Sequence, residues 1–157
     1  MTAAVSGPAA GYLPHRPPML LIDDIVEITE QRAVCRATIH PDCVFAIDGA
    51  VHPAAMIEFV AQACAIYASA VSAGDGPPRL GLIMACREAA FAVEGFAVGD
   101  ELTIVASKAF GGNTMASFTG TVSRGDALCA TIQLSVVDAE LAALSAADPR
   151  DPDGGAP

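Results

Sequence analysis

The chain of 157 residues has room for one domain and is long enough to bury a core without disulfides or metals. At 53% hydrophobic and 17% charged residues it is apolar for a soluble protein, which implies that a large surface is covered, as between subunits of an oligomer. A net charge of -10, with no basic stripe and no run of aromatic stacking residues, argues against a nucleic-acid partner.

Residues 1–11 are small and Pro/Gly-containing, and residues 139–157 are acidic and Pro/Gly-rich; both read as flexible ends around a single domain at 12–138. The five cysteines are spread out, without C-x-x-C and without histidine at ligand spacing, so they read as reduced residues of a cytoplasmic protein rather than a metal site. No basic segment followed by an apolar one opens the chain, so no secretory signal is expected.

The ordered part begins with "MLLIDDIVEIT" (19–29), followed by "RAVCRATI" (32–39). Here Ala33, Cys35, Ala37 and Ile39 alternate with Val34, Arg36 and Thr38, the period of a strand. A loop, "HPDCVFAIDGAV", leads to Pro53 at a first helical position and an alanine-rich helix predicted over 53–73, with Gly74 and "GDGPP" to stop it. The helix is long enough to span a membrane, but Glu58 and Gln62 in its first half and the absence of leucine favour the buried centre of a soluble fold.

Four strands follow: 80–95, "ELTIVASKAF" (101–110), "TMASFTGTVS" (114–123) and "ALCATIQLSVVD" (127–138), the last placing Leu128, Ala130, Ile132, Leu134 and Val136 on its apolar face. "GGN" (111–113) and "RGD" (124–126) read as turns between antiparallel strands. The order, two strands, one apolar helix and four strands, predicts an α+β fold whose antiparallel sheet wraps around one long central helix. Phosphate-binding and nucleophile-elbow motifs are absent, which removes nucleotide and serine-hydrolase readings.

Several segments resemble the hotdog-fold 3-hydroxyacyl-acyl-carrier-protein dehydratases of bacteria. "YLPHRPPMLLID" (12–23) is similar to the family's Leu-Pro-His-Arg opening, "IEFVAQA" (57–63) to its Glu-Ala-Met-Ala-Gln helix motif, and "GLIMACREAAFAVEGFAVGDEL" (81–102) to the strand after it. The nearest likeness is to the small aryl-polyene-type dehydratase subgroup. The resemblance implies a hydro-lyase that turns a 3-hydroxyacyl thioester on acyl carrier protein into the trans-2-enoyl thioester with no metal and no cofactor. One departure stands out: where the fatty-acid enzymes carry His-Phe-Pro-Gly with the catalytic base, this chain has Cys43-Val44-Phe45 and no imidazole.

Dehydration needs a base for the proton beside the thioester carbonyl, an acid for the departing hydroxyl, and donors for the carbonyl oxygen. Burial of a carboxyl favours its protonated form, so Glu58 in the apolar helix is the candidate acid. His52, beside the helix start, is the leading candidate base, with His15 the other, and His40 is assigned to a solvated strand end. The N–H groups of Ala54 and Ala55 at the helix start are candidate donors to the thioester oxygen. Gln62 shares the face of Glu58 and would orient it. His52 and Glu58, six positions apart, differ by roughly 240° and about 9 Å of rise, so a shared site between them would have to cross a subunit interface.

Arg87 is placed between an ion pair in its sheet and a phosphate of the pantetheine arm, and docking of an acidic carrier would need a cluster among Arg16, Arg79, Arg87, Lys108 and Arg124. The expected assembly is a homodimer or higher homo-oligomer, or a pairing with a second hotdog subunit. Two other functions compete: a hotdog thioesterase in which Glu58 activates water, and a catalytically silent hotdog subunit that pairs with an active partner.

Overall fold

The computed structural model describes residues 5–72, 81–112 and 115–140. Its elements are β1 (Gly7–Pro8), β2 (Asp24–Ile28), β3 (Arg32–Thr38), β4 (Ala46–Ile47), β5 (Ala50–Val51), α1 (Met56–Val71), β6 (Gly81–Phe91), β7 (Phe96–Ala97), β8 (Glu101–Gly111), β9 (Met115–Arg124) and β10 (Ala127–Asp138). One antiparallel sheet runs in the order β1-β2-β3-β8-β9-β10-β6, and a small second sheet joins β4, β5 and β7. The helix stop at Gly74, the GDGPP linker, Arg79, Asn113 and the tail beyond residue 140 lie outside the described residues.

Period-two patterning explains the sheet's inner face. Ala33, Cys35 and Ala37 of β3 and Leu102, Ile104 and Ala106 of β8 are buried, while their alternate neighbours turn outward. Strand β10 departs from simple alternation. A bulge between Leu128 and Ala130 opposite β9 turns Cys129 into the core and leaves Leu128 54% exposed, because an extra residue on one strand reverses the facing of what precedes it. At the tight ends, Gly125 (φ +59°) closes β9 onto β10 across the RGD segment, and Asp48 and Gly49, both at positive φ, close β4 onto β5.

The helix begins with a 3₁₀ turn at Pro53–Ala55 and buries Met56, Phe59, Val60, Ala63, Cys64, Ile66 and Tyr67 against the sheet. It is the core helix of the fold, and membrane-length apolarity here serves packing on the sheet. Where the helix crosses β9 the fit is closest: a Cβ on Gly120 would overlap both γ carbons of Val60. Tyr67 packs edge-on against Phe118, centroids 5.5 Å apart, and donates from its hydroxyl to the Glu30 carbonyl at 2.6 Å.

Order reaches further toward the N-terminus than composition suggests. Gly7 and Pro8 pair with Ile25 and Asp24, and Ala9 is fully buried, so main-chain pairing and core contact tie down part of the segment expected to fray. At the opposite edge of the sheet, all eleven residues of β6 are exposed, with Leu82, Ile83 and Met84 among them.

Candidate active site

Two long-range hydrogen bonds and one within the helix build the site. Gln62, fully buried on α1, accepts from the Leu21 amide (3.0 Å) and donates through Nε2 to the Met19 carbonyl (2.7 Å) and to Glu58 Oε1 (3.0 Å). The i, i+4 spacing puts Glu58 and Gln62 on one helix face, and the bonds to Met19 and Leu21 dock the N-terminal segment onto that face. That segment is itself shaped by Arg16, whose guanidinium donates to the carbonyls of Leu13 and His15 at 2.9 and 2.7 Å.

Docking brings His15 to Glu58, with Nε2 to Oε1 at 3.7 Å. This is an ion-pair separation rather than a hydrogen bond. The side chains are 23% and 28% exposed, so Glu58 sits at the rim of the core and is not sunk in it as the apolar helix suggests. His15 Nδ1 is buried with no hydrogen-bond partner.

His52 has a different part. Its Nδ1 accepts from the Ala54 amide at 3.1 Å, which makes it the cap of the helix start. In the neutral ring that lone pair is the basic one, so the cap occupies the atom a base would use. The Ala55 amide bonds to the His52 carbonyl at 3.0 Å. Ala54 and Ala55 therefore have no free N–H in this conformation to offer a thioester oxygen, because the tight first turn and the capping imidazole satisfy both.

The other candidates are dispersed. Arg87 donates from Nε to Ser135 at 3.2 Å, and Ser135 lies 3.2 Å from Ser117, a polar ladder across β6, β10 and β9 rather than part of the Glu58 constellation. Arg124 is bound to Asp100 at 2.7 Å and stacks over Phe96. His40, assigned to a solvated strand end, bonds Asp23 at 2.9 Å, and the other oxygen of Asp23 accepts from the Thr38 amide at 2.7 Å. The Asp23–His40 pair leaves no local sequence signal, because fifteen or more residues separate Asp23 from both partners. Burial pushes the Cys35 thiol up to about 12 and also raises Cys64, so neither is a ready nucleophile.

Beyond Glu58, the same helical stripe continues as Ala61, Ala65 and Ala68, which line an apolar cavity of about 100 Å³ together with Ile83, Ala116 and Phe118. Glu58 and His15 do not line this cavity; its lining on the helix starts at Ala61, three positions after Glu58.

The family model of the ApeP dehydratase, ApeP-like, matches residues 7–146. The chain belongs to the ApeP-like dehydratase family. Its fold is the hotdog fold. A chain of the dehydratase heterocomplex ApeI:P from Xenorhabdus doucetiae is similar at 25% identity, TM-score 0.78, over 88% of this chain and 97% of that one. A hypothetical thioesterase from Streptococcus pneumoniae TIGR4, solved with coenzyme A, is similar in fold at 12% identity and TM-score 0.56, over 73% and 83% of the two chains. PaaI of Escherichia coli is similar at 20% identity and TM-score 0.55, over 73% and 77%. Among curated proteins, none matches the sequence. The match of the ApeP-like family from residue 7 agrees with an ordered segment that carries His15 to the helix.

Proposed function

We propose that this ApeP-like protein is a cytoplasmic hydro-lyase that dehydrates a 3-hydroxyacyl thioester on acyl carrier protein to the trans-2-enoyl thioester, with Glu58 as acid and His15 as base. The observation that carries this reading is the convergence of His15 and Glu58 at 3.7 Å on a Gln62-locked segment; an apolar slot lined by Ala61, Ala65 and Ala68 lies further along the same helical stripe. The acyl tail lies along Ala61, Ala65 and Ala68, whose small side chains leave room beside the helix.

In the reaction, His15 removes a proton from C2 while Glu58 gives one to the 3-hydroxyl. The C3–O bond breaks, water leaves, and the new C2–C3 double bond is conjugated with the thioester carbonyl. A proton then passes from His15 to Glu58 through solvent, restoring both groups. Arg16, next in sequence to the base, is a candidate to meet the carrier's phosphate, as is Lys108 in the lining of the slot, whereas Arg124 is neutralised by Asp100.

A second hotdog subunit covers the edge of β6. Supporting this are the eleven exposed residues of that edge strand and the heterocomplex formed by the similar ApeI:P dehydratase.

The test is turnover of a 3-hydroxyacyl thioester on acyl carrier protein, with conjugated product and free thiol followed together, for wild type, Glu58→Gln, His15→Ala and His52→Ala. Enoyl product lost in Glu58→Gln and His15→Ala supports the assignment. Thiol without enoyl product points instead to a thioesterase using Glu58 as base. A folded wild type that turns over only when a second hotdog chain is added is the silent-subunit outcome.

A further inference from the structure

The amide of Gln62 cannot be turned round. The Leu21 N–H is a donor only, so it must meet the amide oxygen, and the Met19 carbonyl is an acceptor only, so it must meet the amide nitrogen. Both contacts demand the same orientation. Nitrogen Nε2 carries two hydrogens: one goes to Met19, and the other to Glu58 Oε1. Toward Glu58, then, Gln62 is purely a donor.

A carboxyl oxygen that receives this N–H cannot also hold a proton pointing back along the same line. His15 Nε2 faces the same oxygen, Oε1, so both neighbours converge on one side of the carboxyl. The two oxygens of Glu58 are therefore inequivalent, and main-chain atoms of the N-terminal segment, relayed through one side chain, make them so.

We propose that Gln62 is a positioning residue that reserves Oε1 of Glu58 as a hydrogen-bond acceptor and leaves Oε2 as the oxygen that exchanges a proton with substrate. This deepens the dehydratase reading, in which the Oε2 proton goes to the departing hydroxyl and leaves with it as water. It holds equally for a Glu58 that takes a proton from water. Because the same amide also holds Met19 and Leu21, it sets the spacing of His15 and Glu58 together with the orientation of the acid.

The decisive experiment follows the two Nε2 proton resonances of Gln62 by NMR in the full-length wild-type protein without substrate, across the ionisation of Glu58, with Glu58→Ala as reference. The expected result is that one of the two protons takes a small step as Glu58 gains its proton yet stays well away from its Glu58→Ala position, since the bond to Oε1 survives protonation at Oε2. Movement onto the Glu58→Ala position on acidification overturns the proposal, because it means Oε1 is not kept as an acceptor when Glu58 gains its proton. No difference from Glu58→Ala at any pH overturns it too, by removing the bond altogether.

Kinetics supply a second reading: Gln62→Met is expected to lower kcat by up to about 100-fold, as for a misplaced reacting group, with KM within about twofold. An unchanged kcat in that variant contradicts the proposal. If wild type dehydrates nothing, the dehydratase reading falls, and the resonances still decide the role of Gln62.

Discussion

Gly120 sets the height of the helix over the sheet, and adding one methyl there is a direct test. Gly120 is paired with Ala106 on one side and Ile132 on the other, both fully buried, so the strand cannot retreat sideways. The new Cβ of Gly120→Ala would overlap both γ carbons of Val60, and Val60 is fully buried and β-branched on a helix, where one χ1 rotamer dominates. The helix must lift or the strand must bend, at a cost of about 1–3 kcal/mol for overpacking. Melting temperature should fall by roughly 3–12 °C at fixed protein concentration. Val60→Ala alone should cost about 2 kcal/mol through its cavity. In the double variant the two lesions should offset each other, with a coupling of about 1 kcal/mol or more in urea melts. An unchanged melt for Gly120→Ala, or strictly additive effects in the double variant, would refute the packing logic. Val60 lies between Glu58 and Gln62, so a lifted helix should also depress kcat.

Other consequences are as open to measurement. His52→Ala should lower stability by about 1 kcal/mol through loss of the cap while kcat stays within about twofold, whereas His15→Ala should lower kcat by about 100-fold or more; the reverse pattern would transfer the base role to His52. Tyr67→Phe keeps the edge-on packing with Phe118 but strands the Glu30 carbonyl, and should cost about 1 kcal/mol by urea midpoint; no change would mean water replaces the hydroxyl. At Asp100, burial pushes the carboxyl up, but the Ala97 amide and the Arg124 guanidinium outweigh it and hold it below the usual carboxylate range. A depressed folded value adds stability that is complete above the unfolded pKa of about 3.9 and is lost as pH falls through the folded value. Wild type should therefore lose more stability than Asp100→Asn on acidification below about pH 4, and parallel curves would show that the pair contributes nothing.

Much of the fold was legible because it rests on side-chain periodicity. The inner faces of β3 and β8 follow from alternation, and the helix announces itself by a long apolar run, broken in its first half by Glu58 and Gln62, with a proline at its start. The departures share a cause: they depend on main-chain atoms, which leave no trace in residue types. A bulge redirects Cys129, a two-residue strand tethers Gly7 and Pro8, and the choice between His15 and His52 turns on carbonyl and amide groups of residues 19, 21 and 54. Glu58 and Gln62 could be found at helical spacing, but the arrival of His15 beside them depends on bonds spanning more than forty residues.

The open edge of β6 also bears on how such a chain survives in a cell. Among the described residues β6 pairs on one side only, with β10, and its outer edge, bearing Leu82, Ile83 and Met84 with Arg87 and Glu88 as its charges, is a template to which a stray strand can add. Left uncovered, such an edge exposes a protein to aggregation and proteolysis.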